Sequence, residues 1–169
     1  MNQQADALEI TVSDARTRFG RGEVTADVPV GVATLARELR GDPPRPEELT
    51  NAIGLVVDHV DDLLRERPEL AGARAVRLHG PAVTAVAAVE LGTDAVPDLF
   101  LLERTAAEDV FRTLATESAR DRRHNPGLAP ELTDSIVAAC CIVVAIIRAL
   151  GLDGVDVVAG DPRIAGQVT

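Results

Sequence analysis

Residues 8–30 read LEITVSDARTRFGRGEVTADVPV. Leu8, Ile10 and Val12 fall at every second position, as do Val24, Ala26, Val28 and Val30, with Phe19 and the turn Gly20-Arg21-Gly22 between them. Period-two alternation places successive side chains on opposite faces of a strand. The stretch therefore predicts two or three antiparallel strands joined by tight turns, closed by Pro29 and Gly31.

Beyond this stretch the period changes. Val32 to Arg40 reads as a helix with Val32, Leu35, Ala36 and Leu39 on one face. Gly41-Asp42-Pro43-Pro44 breaks it. A long helix is predicted from Pro46 to Arg67, with Pro46 in the first turn, Glu47 and Glu48 at the positive end of the dipole, and Leu49, Ile53, Val56, Val60 and Leu63 as its apolar stripe. Ala73 to Leu78 reads as a strand ending at His79-Gly80-Pro81, followed by a helix over Ala82 to Leu91. Leu99 to Leu102 is short and extended. Thr105-Ala106-Ala107-Glu108 fits a capping box that opens a helix with Val110, Phe111 and Leu114 inward. Arg120 to Gly127 reads as a charged connector. Pro130 is expected to open the most apolar helix, which runs to Leu150 and stops at Gly151, and Val155 to Val158 is a last strand. The order gives an α/β fold on one mixed sheet.

The chain has 169 residues, about one domain's worth at ~150 residues per domain. Residues 1–7 are expected to form a flexible N-terminus and residues 8–169 a single domain. Asp plus Glu number 27 against 17 Lys plus Arg, a net charge of -10, and aromatics are 2% with no Trp or Tyr. Polyanions are repelled by such a surface and stacking platforms are missing, so general nucleic-acid binding is excluded. The apolar run Ile136 to Ile147 is shorter than the ~20 residues of a membrane span. Cys140 and Cys141, adjacent inside that run, read as inert core thiols of a reducing compartment. A cytoplasmic protein is expected, with no membrane partner.

Four stretches together carry a resemblance to a known family. They are Val28-Pro29-Val30-Gly31-Val32-Ala33-Thr34-Leu35; Asp42-Pro43-Pro44 ahead of a Glu-rich helix; Gly80 to Gly92 with Thr84, Ala87, Ala88 and Leu91; and Pro126-Gly127-Leu128-Ala129-Pro130 followed by Asp134-Ser135-Ile136-Val137-Ala138-Ala139. Over Leu8 to Val168 the chain resembles the second domain of the exopolyphosphatase / guanosine pentaphosphate phosphohydrolase (Ppx/GppA) family. The resemblance implies a ribonuclease-H-like, actin/hexokinase-like fold: a mixed sheet with N-terminal antiparallel strands and flanking helices. It also implies a cleft shared with a first domain, which in the family supplies an acid thought to activate water and carboxylates for a metal. Nothing in this chain corresponds to that first domain.

Departures from the family pattern fall where the phosphate would sit. Asp-Ile-Gly-Gly-Gly-Ser-Thr-Glu of active members is matched by Glu9-Ile10-Thr11-Val12-Ser13-Asp14-Ala15-Arg16. Glycines let backbone N–H groups reach a phosphate and take φ > 0; Thr11, Val12 and Ser13 carry side chains there, and Asp14 adds a negative charge. Gly-Gly-Thr-x-Thr-Thr is matched by Gly80-Pro81-Ala82-Val83-Thr84-Ala85, where Pro81 lacks an N–H. The C-terminal Arg-Glu-Gly appears as Ile164-Ala165-Gly166.

The candidate ligand-binding positions are Glu9, Ser13, Gly80, Thr84, Arg122 and Arg123. Glu9 stands where the family's Asp would hold Mg²⁺ through water, and is expected to be a solvent-facing strand residue. Gly80 with Thr84 marks a residual anion site or a plain loop glycine and helix threonine. Arg120, Arg122, Arg123 and His124 form the one dense basic cluster, able to grip phosphate or an acidic partner, or balanced as a solvated connector by Glu117 and Asp121. Asp58, His59 and Asp62 have helical spacing for a divalent ion but read as a solvated face. No catalytic residue, metal ligand or cofactor is expected, with Mg²⁺ entering only if hydrolase activity remains.

The reading is a stand-alone, catalytically degenerate pseudoenzyme that acts as a binding or regulatory module. It is expected to form a homodimer or a complex with another protein through the face a first domain would cover. The alternatives are half of a split exopolyphosphatase/pppGpp phosphohydrolase completed in trans, and a sensor that binds a phosphorylated nucleotide without hydrolysing it.

Overall fold

The computed structural model describes residues 6–160. Six strands form one sheet: β1 (Ala7–Val12), β2 (Thr17–Arg21), β3 (Val24–Val28), β4 (Ala75–His79), β5 (Leu99–Glu103) and β6 (Gly154–Val158), in the spatial order β3-β2-β1-β4-β6-β5. The first three strands are an antiparallel meander, β1, β4 and β6 run parallel, and β5 returns antiparallel along β6 at the edge. The N-terminal hairpins and the mixed sheet are those expected from period-two alternation. β1 begins at Ala7, which is buried, and Asp6 pairs with Arg21 and, at 3.5 Å, with Arg74. The flexible stretch expected over residues 1–7 therefore does not include the last of them. Residues 1–5 and the Ile164-Ala165-Gly166 segment lie outside the described residues.

The helices are α1 (Val32–Ala36), α2 (Pro46–Glu66), α3 (Pro81–Leu91), α4 (Arg104–Thr116), α5 (Ala119–Arg122) and α6 (Ile136–Leu150). Leu8, Ile10 and Val12 of β1, Leu78 of β4 and Val155 and Val157 of β6 turn into the core. α6 is packed by α1, α2, α3 and α4, and Ile136 to Ile147 are each 2% exposed or less. The apolar run is thus a core helix, as its length predicts, and no helix among the described residues is long and apolar enough to cross a membrane. Burial drives both thiols upward, that of Cys141 to about 12, so neither forms a thiolate near neutrality.

Three boundaries differ from the sequence expectation, each for a hydrogen-bonding reason. α1 stops at Ala36 because Glu38 and Leu39 donate three residues back, to Leu35 and Ala36, tightening the last turn. α4 starts at Arg104, not behind a Thr105 cap: β5 runs straight into it and the Arg104 N–H is held by the Asp153 carbonyl at 2.7 Å. Pro130–Leu132 is a separate 3₁₀ turn, and α6 begins only at Ile136. The Thr133 carbonyl, which a continuous helix would use internally, instead accepts from Arg122 at 3.1 Å.

Glu48, in the first turn of α2, closes the breaker before it. Its Oε2 accepts from the N–H groups of Arg45 and Gly41, both at 3.0 Å, and its Oε1 from the Arg45 guanidinium at 3.2 Å. Those backbone donors hold its carboxyl down at about 2, against an ordinary 4.5. A depressed carboxylate contributes stability that is fully present above 4.5 and is lost as pH falls through about 2. Glu48→Gln should lower the melting temperature at pH 7 and flatten its decline across that acid range, which melting curves at stepped pH will read.

Candidate functional site

A cleft of about 900 Å³ opens where β1, β4 and β6 end, the end of a parallel sheet at which ligands bind in such folds. Ser13 and Asp14 of the β1–β2 hairpin form one lip, Gly80 to Thr84 at the start of α3 another, and Ser135 and Gly160 complete the rim. Among the described residues no lysine or arginine lines it, and its one carboxylate is Asp14.

Hairpin and helix are joined tightly. The N–H groups of Val32, Ala33 and Thr34 donate to the carbonyls of Ser13 (2.9 Å) and Asp14 (3.0 and 3.3 Å). The first-turn donors of α1 are thereby consumed. A Cβ on Gly31 would lie 2.4 Å from those same carbonyl oxygens, so this approach requires glycine. Ser13 is itself spent on the turn: its N–H and its Oγ both donate to the Arg16 carbonyl, at 3.0 and 2.9 Å. No residue other than glycine takes a positive φ among the described residues. The hairpin thus holds no left-handed conformation that would turn its N–H groups inward.

Gly80 is the N-cap of α3, with φ 129°. A Cβ there would lie 2.3 Å from the Val12 carbonyl oxygen, so the contact of α3 with the end of β1 explains this glycine without a ligand. Thr84 Oγ1 donates back to the Gly80 carbonyl at 3.1 Å. Pro81 is the first helical residue, while the N–H groups of Ala82 and Val83 have no acceptor among the described residues.

Glu9 faces solvent, with its side chain 39% exposed, but is not free. Strand pairing sets it beside Arg77 of β4, and His79 is two residues on. Its Oε1 accepts from Arg77 Nη1 at 3.0 Å and its Oε2 meets His79 Nε2 at 2.5 Å. A carboxylate only accepts, so Nε2 carries the proton. His79 lines the cleft and is buried, and its Nδ1 has no hydrogen-bond partner among the described residues. Arg77 and His79 are the residues sequence reasoning missed. The signal was their alternation with Val76 and Leu78, which puts both on the polar face of β4 opposite Glu9.

The basic cluster is divided. Arg122, offered as a ligand-binding residue, is 4% exposed. Its guanidinium donates to the carbonyls of Leu114 (3.0 Å), Thr133 (3.1 Å) and Glu117 (2.8 Å). It ties the C-terminal end of α4 to the approach of α6, where a cation also meets the negative end of the helix dipole. That use removes it from any surface site. Arg120, Arg123 and His124 are exposed and lie off the cleft wall. On α2, Asp58 and Asp62 are exposed and Asp62 pairs with Arg65 at 2.7 Å. No group of three or more His, Cys, Asp or Glu side chains suited to a metal comes together among the described residues. Glu9 does not fit Mg²⁺ either, because each of its oxygens already faces a cationic or N–H donor.

The fold, a mixed six-stranded sheet with flanking helices, matches about half of each of several solved Ppx/GppA and exopolyphosphatase structures. The chain superposes on the Aquifex aeolicus Ppx/GppA phosphatase type II variant with a TM-score of 0.78 and 16% identity, covering 91% of this chain and 53% of that one. An exopolyphosphatase-like protein gives 0.80, 17%, 91% and 54%, and an exopolyphosphatase from Cytophaga hutchinsonii gives 0.72, 14%, 92% and 55%. This chain spans about half the length of those structures, as a second domain would. No family model and no curated protein matches the sequence.

Three substitutions separate the demands of the fold from those of a ligand. Gly80→Ala should destabilise by at least about 2 kcal/mol, because it meets both a positive φ and a backbone oxygen. Arg122→Ala should cost about 3 kcal/mol by orphaning carbonyls that the guanidinium satisfies, while Arg123→Ala stays within about 0.5. Urea unfolding of the variants measures both.

Proposed function

We propose that this chain is a Ppx/GppA-like domain that has kept the fold and lost phosphoanhydride hydrolysis, and that it works as a binding or regulatory module in the cytoplasm. The observation that carries this reading is the neutralised state of Glu9. A carboxylate that recruits a divalent cation needs oxygens open to it, whereas those of Glu9 are held by Arg77 and His79. Two further features support it. The α1 donors go to hairpin carbonyls instead of a phosphate, and among the described residues the cleft wall carries no lysine or arginine to offset polyanionic charge. No magnesium-dependent step is assigned to the chain.

One observation favours a second reading, a sensor that holds an anion without cleaving it. The N–H groups of Ala82 and Val83 and the buried His79 Nδ1 have no partner on this side of the molecule among the described residues. A helix N-terminus of this kind accommodates negative charge.

Calorimetric melting with polyphosphate, with and without Mg²⁺, decides between the readings, since a chain lacking Trp and Tyr gives little fluorescence. The expected result is no shift and no phosphate release. A ligand at about 100 times its Kd adds ~2.7 kcal/mol, several degrees for a domain of this size. A shift that does not need Mg²⁺ would favour the sensor. Phosphate release on adding a family first domain would overturn the loss of chemistry.

A further inference from the structure

β5 is the last strand of the sheet and is paired to β6 alone. Two hydrogen bonds fix which way its backbone faces. At one end the Ala159 N–H donates to the Asp98 carbonyl at 3.0 Å, and at the other the Arg104 N–H donates to the Asp153 carbonyl at 2.7 Å. In an antiparallel ladder successive residues turn their main-chain groups alternately to one side and the other. Asp98, Phe100, Leu102 and Arg104 therefore face β6. The N–H and C=O groups of Leu99 and Leu101 and the N–H of Glu103 face outward, with no main-chain partner among the described residues, while the Glu103 carbonyl, as N-cap of α4, takes the first bond of that helix.

The side chains on this edge are also unpartnered. Leu99 and Leu101 are each 57% exposed, more than Leu55 or Leu91 at 40% and 39%. They stand on the sheet face opposite Leu102, which is fully buried in the core. An apolar strand edge with outward-facing donors and acceptors is a template for another strand.

We propose that the occupant is a second copy of this chain, added antiparallel through its own β5 about a two-fold axis at Leu101. Leu101 then stands opposite the partner's Leu101, Leu99 opposite the partner's Glu103, and Asp98 opposite the partner's Arg104. The register is selected by the sequence. Slipping to set Leu99 against the partner's Leu101 would move Asp98 from the partner's Arg104 to the partner's Leu102. Slipping the other way would need Thr105, already in α4, to be extended. In the register proposed, the outward groups of Leu101 and the Glu103 N–H and Leu99 C=O are paired, and no acid faces an acid. Asp98 gains a guanidinium: Arg104 touches Glu108 at 3.4 Å and is still 43% exposed. The two six-stranded sheets continue into one another, with the leucines of both copies on one face. A closed two-fold contact of this kind uses up the edge and does not propagate. This assignment does not rest on the loss of hydrolysis.

Charge separates a second copy from a basic partner. Each copy carries a net charge of -10, so like chains repel over a distance that salt shortens. Self-association tightens with salt, whereas binding of a basic strand weakens.

Sedimentation equilibrium of the purified chain at tens of micromolar, in low and in high sodium chloride, tests this. A dimer that tightens with salt is expected. Leu101→Lys, which sets two ammonium groups on the axis at an exposed position, should weaken it at least about tenfold while the variant keeps the circular dichroism spectrum of the folded chain. Asp98→Arg alone should weaken it at low salt, and Asp98→Arg with Arg104→Asp should restore it. A monomer throughout the concentration range overturns the proposal, as does a dimer indifferent to Leu101→Lys. A double charge swap that fails to restore association overturns the register.

Discussion

Ile136 to Ile147 present apolar side chains on every side of a helix, and such a helix is stable only when it is enclosed. The enclosure sets the positions of the other helices: α1, α2, α3 and α4 all pack on α6. Each fully buried Leu, Ile or Val side chain is worth about 1.5–3 kcal/mol, and this helix contributes more of them than any other single element. Its two ends are fixed differently. Gly151 takes the left-handed conformation, and its N–H returns to the Ile147 and Arg148 carbonyls. At the other end the chain must arrive from α4 across a turn full of polar main-chain groups. Arg122 resolves that problem by entering the core and taking the carbonyls of Leu114, Glu117 and Thr133. A buried cation is tolerated here because each of its three guanidinium nitrogens donates to a carbonyl and it sits at a helix C-terminus.

The position of α6 also makes the cleft. Leu132 and Ser135, just ahead of it, become part of the cleft wall. Across from them the β1–β2 hairpin is held against α1 by its own carbonyls. A glycine-rich loop keeps N–H groups in reserve for an anion. This hairpin spends its Ser13 and Asp14 carbonyls on α1 and its Ser13 N–H on the Arg16 carbonyl, while the N–H groups of Asp14 and Ala15 have no acceptor among the described residues.

Much of this was readable from residue spacing. The change from period two to the helical period located the meander, α2 and α3 within a few residues, and the continuous apolar run identified the buried helix. Errors arose where a distant backbone group intervened. Thr105 had the composition of a cap, but the Asp153 carbonyl had already taken the Arg104 N–H. The apolar pattern after Pro130 suggested an unbroken helix, but Arg122 had claimed the Thr133 carbonyl. Arg122 and Arg123 are neighbours in a charged segment, and nothing local shows that one is in the core and the other in water. The site divides along the same line. Gly80 and Ser13 were placed at the cleft by position alone, while the partners of Glu9 sit 68 and 70 residues away and depend on strand register.

Register is the level on which the polar side of the sheet must be read. In one row across it, Gly20, Glu9, Arg77, Asp156 and Leu101 follow one another on successive strands. The charges alternate in sign until β5, where the row ends on an exposed leucine. Opposite charges on adjacent strands stabilise a solvent-facing sheet by a few tenths to about 1 kcal/mol per pair. Glu9 therefore contributes more to the sheet with Arg77 and His79 than it would alone. A carboxylate kept for a metal would have to stand without such partners, at a cost to the apo domain. Once no metal is required, that constraint disappears, and cross-strand pairing can occupy the position. The row that engages Glu9 and the leucine that ends it belong to one surface, which is charged over β1, β4 and β6 and apolar and exposed at its β5 rim. Its interior can rest in water without a partner, and only its β5 edge gains by acquiring one.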